Sequence, residues 1–132
     1  MSARSKARKR ALDVLFASEL RREEPVAALE RAIAEGEGPT NDYTSVLVRG
    51  VAGHQAEIDS LLRGAAQGWS LERMPGVDRN VLRIAVFELL HADEVPDAVA
   101  VSEAMNLVKE LSTDESPSFV NGVLGTILRN RD

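Results

Sequence analysis

The chain has no cysteine and only two histidines, His54 and His91. Without cysteine there can be no disulfide scaffold, thiolate zinc site, iron–sulfur cluster or cysteine nucleophile, and the usage fits a reducing compartment. Two histidines are too few for most histidine-built metal sites. No apolar run approaches the ~20 residues that a membrane span needs. Asp13 and Glu19 interrupt the apolar region that a signal peptide would require after the basic start. Gly-x-Gly-x-x-Gly, the phosphate loop Gly-x4-Gly-Lys-Ser/Thr and His-Glu-x-x-His are all missing. These absences leave a soluble, cytoplasmic chain whose 132 residues form a single domain, 1–132, as the expectation.

What is present is an uneven distribution of charge. The chain is 44% hydrophobic and 28% charged, as a folded domain should be, with a net charge of −5. Residues 1–10 carry Arg4, Lys6, Arg8, Lys9 and Arg10 and no acid, while the other 122 residues hold 11 basic and 21 acidic side chains. A basic head on an acidic body points to an anionic partner at the N-terminus. Arg4 and Arg8, and Lys6 and Arg10, are four apart, which on a helix gives two adjacent rows of cations facing solvent. A frayed, solvated terminus is the competing explanation.

Apolar spacing is helical almost throughout and shows no sustained strand-type alternation. Leu12, Leu15, Phe16 and Leu20 predict a first helix from about Ser5 to Arg22. Pro25 starts a second with Val26, Leu29 and Ile33, and Gly36-Glu37-Gly38-Pro39 is a loop. Thr40 or Asn41 caps a long third helix carrying Tyr43, Leu47, Val51, His54, Ile58, Leu61 and Leu62, in which Gly50 and Gly53 predict a close helix crossing. After a single turn at Ser70, three further helices follow. They carry Val81–Leu90, Ala104–Leu111 and Phe119–Leu128, the last opened by Ser116-Pro117. The prediction is an all-α protein of six to seven helices.

The residues that could do chemistry have bland explanations. His54 reads as a hydrogen-bonded core histidine and His91 as a charge suited to a helix C-terminus. Glu23-Glu24, Asp93-Glu94 and Asp114-Glu115 lie near breaks, as solvated acids do. Gly50-Val-Ala-Gly53 has KH-loop spacing but sits in a helical pattern with no internal basic residue. No enzyme, no metal and no cofactor is predicted.

Four segments carry a resemblance. Ala7–Phe16, Val77–Leu90 with Asp93-Glu-Val-Pro96, Val101–Ser112, and Ser116-Pro-Ser-Phe-Val-Asn-Gly-Val-Leu124 together resemble the NusB family of transcription antitermination factors, nearly end to end from about residue 4 to 128. The resemblance implies two small helical bundles and no catalysis. It also implies binding of boxA RNA together with NusE, a small-subunit ribosomal protein, and delivery of the pair to the elongating RNA polymerase on ribosomal RNA operons. The RNA-binding residues it implies are Arg4, Lys6, Arg8, Lys9, Arg10, Phe16, Glu115 and Phe119, with packing in the core as the other reading of Phe16, beside Leu12 and Leu15, and of Phe119. Asp78 matches a NusE-facing acidic position, with a helix N-cap as its plainer role. Asn121-Gly122 is expected to be a buried amide at a close crossing. Methyltransferases that carry a NusB-like domain are similar too, but no catalytic half is present in these 132 residues. The alternative is a protein-binding helical adaptor or homodimer without specific RNA binding.

Overall fold

Ser2 accepts the Ser5 amide at 3.0 Å and so caps α1 (Ala3–Arg21), satisfying one of the amides a helix start leaves open. The computed structural model describes residues 2–131; Met1 and Asp132, the ends of the expected domain, lie outside the described residues. α1 stops at Arg22, whose φ of 54° is left-handed and lets the Glu23 amide reach the Ser18 carbonyl at 2.9 Å. Pro25 then begins α2 (Pro25–Ala34), where its missing N–H is not needed. Asn41 Oδ1 accepts the Tyr43 amide at 2.8 Å to start α3 (Asp42–Gly53). Ala7 and Ala11 give α1 a small-residue face against α3, where the buried Thr44 Oγ1 donates to the Ala7 carbonyl at 3.0 Å.

These three helices form one compact unit, and the division from the second falls between Gly53 and His54. The second unit comprises α4 (Gln55–Ala65), a 3-10 turn (Leu71–Arg73), α5 (Gly76–His91), α6 (Asp97–Leu111) and α7 (Ser116–Arg129). α5 is its centre: every residue from Asn80 to Leu89 is buried, because α4, α6 and α7 all pack on it. Its buried polar groups are paired. Arg83 Nε and Nη2 donate to the two Asp59 oxygens at 2.9 and 3.0 Å, and Asn80 Nδ2 donates to the Gly76 carbonyl at 2.9 Å.

Seven α-helices and no strand stand among the described residues, as the apolar spacing predicts. The long third helix is corrected to two, α3 and α4, broken at Gly53–His54. A Cβ on Gly53 would meet nothing within 4 Å, so this glycine ends a helix by weak propensity and not by making room for a crossing. Gly122 is equally open and Asn121 is exposed, which removes the buried amide and close crossing expected there. Leu20 is 70% exposed, and Ile33 and Leu61 are exposed too, each at the edge of a stripe whose centre is already filled.

Candidate nucleic-acid interface

Helical geometry divides the basic head. Ala7, Arg8, Ala11, Leu12, Leu15 and Ser18 recur at three- and four-residue steps and form the buried stripe of α1. Arg4, Lys6 and Arg10 fall outside it and are exposed, and Lys9 is half-buried. The expectation that Arg8 faces solvent is therefore corrected: it is only 3% exposed, because it lies four residues before Leu12 and seven before Leu15. Its guanidinium carbon sits 5.7 Å from the centroid of Tyr43, and that of Arg4 lies over the same ring at 4.3 Å. The ring face is electron-rich and attracts both cations, so Tyr43 holds Arg4 in place while leaving it at the surface.

Lys6 and Arg10 line a cavity of about 250 Å³ with Ala3, Pro39, Thr40 and Asn41. Its wall is built by hydrogen bonds across the unit. Asn41 Nδ2 donates to the Ala3 carbonyl at 3.3 Å, and Arg10 Nη2 donates to the Glu37 carbonyl at 3.2 Å. Two cations, a hydroxyl and an amide around a space of this size can receive an anionic oxygen such as a phosphate.

The second unit carries a different surface. Trp69, 56% exposed, meets the half-buried Phe119 edge-on, with ring centroids 6.0 Å apart at 64°. With Arg73, Met74, Pro75 and the exposed Glu115 they line a groove of about 380 Å³. Arg79 Nη1 fixes one wall by donating to the carbonyls of Leu71 and Met74, both at 3.0 Å. Exposed aromatic rings beside an arginine can stack unpaired bases. Trp69 and Arg73 escaped the sequence reading, although a lone tryptophan in a break between helices was a signal for them. Phe16 on α1 is half-buried and belongs to the first unit, so it joins neither the groove nor the lining of the Lys6–Arg10 cavity.

The plainer role expected of Asp78, a helix N-cap, is corrected. The residue is 2% exposed, and no side-chain bond caps the α5 start. Ser112 Oγ donates to its Oδ1 at 2.6 Å and Ser116 Oγ to its Oδ2 at 2.9 Å. The carboxylate thus clips the α6–α7 turn, which carries Glu115, to the first turn of α5. Asp78 lies buried at the floor of the groove, holding its wall together.

His54 also departs from expectation. It is the boundary residue before α4, its side chain 43% exposed and not core, and it stacks on His91.

Exposed cations on one helix beside an anion-sized cavity, and an aromatic groove in a second helical unit, are surfaces chemically suited to nucleic acid on an all-α chain. The chain belongs to the NusB family, whose model matches residues 5–129. It is 75% identical over 131 residues to the transcription antitermination protein NusB of Nocardioides sp., covering 99% of this chain and 97% of that one. Its fold is similar to T. maritima NusB, with a TM-score of 0.87 at 33% identity over 98% of this chain and 92% of that structure. It is also similar to a chain in a crystal structure of the antitermination factors NusB and NusE in complex with double-stranded RNA. There the TM-score is 0.81 at 31% identity, over 96% of each chain.

Proposed function

We propose that this chain is a transcription antitermination factor that binds boxA RNA jointly with NusE and carries the pair to the elongating RNA polymerase of ribosomal RNA operons. The reading makes it a cytoplasmic, non-catalytic adaptor in which residues 1–132 act as one module. The observation that carries it is the set of exposed cations on α1, Arg4, Lys6 and Arg10, on a chain that belongs to the NusB family. The solved relative that holds NusB, NusE and RNA together supports the choice of partners.

In this reading the α1 cations contact phosphates and position the strand, while base choice comes from stacking at Phe119 and Trp69 and from surface that NusE adds. Glu115 at the groove rim would accept hydrogen bonds from base edges. Arg8, being buried, supports these cations by packing, and Phe16 contributes a half-exposed ring beside them. The test is a titration of the full chain with boxA-like and scrambled RNA, each with and without NusE. The expected result is a preference for boxA that NusE sharpens. Equal affinity for both RNAs in the presence of NusE would leave the second reading, a protein-binding helical adaptor or homodimer.

A further inference from the structure

The only two histidines in the sequence come together in the second unit, where the nucleic-acid reading makes no use of them. His54 precedes α4, Glu57 lies one turn along it, and His91 is the last residue of α5. His91 Nε2 is 2.8 Å from Glu57 Oε1, and His54 Nδ1 is 3.5 Å from the same oxygen. The imidazole rings stack with centroids 3.9 Å apart at 22°. Phe87, buried on α5, backs them both, its ring centroid 6.0 Å from His54 and 5.8 Å from His91.

A helix-end histidine bonded to a carboxylate accounts for His91 and Glu57. It does not account for a second imidazole stacked on the first with a nitrogen turned towards the same oxygen. We propose that His54, Glu57 and His91 bind a late first-row divalent metal ion, with zinc as the type ion. One ligand atom from each of the three lies within 4.8 Å of the others. Tetrahedral zinc, with bonds of about 2.0–2.2 Å to nitrogen and oxygen, sets its ligand atoms about 3.4 Å apart. The observed separations of 2.8 and 3.5 Å lie on either side of that value, so small side-chain rotations suffice. Two imidazoles and a carboxylate suit zinc, nickel or copper(II), whereas magnesium and calcium take oxygen donors. Packing of α4 on α5 fixes the two helix ends that carry the ligands. The fourth position stays open to water or to a side chain of a bound partner.

The test is calorimetric titration of the full chain with zinc in excess magnesium, which occupies oxygen-only sites. It is repeated on His54→Gln, His91→Gln and the double variant, each checked for parental helical circular dichroism. The expected result is one zinc per parent chain and a loss of about tenfold or more in each single variant, since even outer-shell changes cost 10–100-fold. Cobalt(II) should give the parent, and not the double variant, the visible bands of a tetrahedral nitrogen–oxygen site. No zinc binding by the parent, or unchanged affinity in either single variant, would overturn the site. Because the readout involves no RNA, it stands or falls apart from the antitermination reading.

Discussion

Lys6 and Arg8 are two residues apart on α1, and the helix sends one charge outward and the other under Tyr43. Their contributions to RNA binding should differ accordingly. Replacing Lys6 and Arg10 together with Ala should flatten the plot of log affinity against log salt by about 1.4, from about 0.7 per single-stranded phosphate contact. BoxA and scrambled RNA should weaken alike. Arg8→Met should leave that slope in place and instead lower the unfolding free energy by about 1–2 kcal/mol, through loss of a desolvated cation–ring contact. A slope that responds to Arg8 and not to Lys6 and Arg10 would sink the division of labour. Composition made the basic run legible, but its direction was written in the spacing of Ala7, Ala11, Leu12 and Leu15, which already placed position 8 inside. Asp78 could not be placed this way. Its burial depends on Ser112 and Ser116, which lie 34 and 38 residues away in sequence.

Among the helices, the α4–α5 contact rests on the buried Asp59–Arg83 pair, bonded through both carboxylate oxygens. Removing one partner of such a pair leaves an uncompensated charge in a place of low polarity, which costs about 3–5 kcal/mol. Asp59→Ala should therefore show that loss in urea unfolding, and adding Arg83→Met should restore much of it, because neither charge is then stranded. A double variant as unstable as Asp59→Ala would assign the pair's value to packing alone. The apolar period of α5 identified Val81, Leu82, Ala85, Val86, Leu89 and Leu90; the first five are buried as expected and Leu90, at the end of the helix, is only half-buried. It gave no sign that Arg83 and Glu88 are buried among them, since that follows from being surrounded by three helices. The break between α3 and α4 was hidden for a related reason: apolar positions stay in phase from Val51 to Ile58 even though the backbone turns aside at His54.

Across the whole molecule, arginines in both units hold carboxylates in their charged form. The Glu23 carboxyl lies below its ordinary value chiefly through its hydrogen bonds to Arg31. Glu72 is lowered first by a backbone hydrogen bond and then by Arg63, and Asp97 by Arg131, whose Nη1 donates to Oδ1 at 3.0 Å. A carboxyl lowered in the folded state adds stability above its ordinary range, and that stability disappears as pH falls through the folded value. These groups are open to solvent, so each effect is small. Asp97→Asn should melt below the parent at about pH 7, and the gap should narrow as pH falls below the ordinary aspartate value of about 3.9. A difference that persists unchanged to the acid end would remove the Asp97–Arg131 charge pair from the account. Charge totals announced the acidic body, but the pairings are made by the fold: Asp97 and Arg131 stand at opposite ends of the α6–α7 hairpin sequence and meet only once it closes.

α5 also sets how much freedom the sequence has to drift. From Asn80 to Leu89 each side chain is hemmed in by helices on every side, so size, shape and polarity are dictated at ten consecutive positions. The outward face of α2 carries no such constraint beyond forming a helix, and in the loop after it only Gly36, with a φ of 77°, and Gly38, where a Cβ would meet Ile33 at 2.7 Å, are tightly held. A saturating library of substitutions would thus leave its scars very unevenly. The second unit would keep a nearly fixed ten-letter word at its centre, polar letters included, while the first could be respelled along most of its outer surface and still fold.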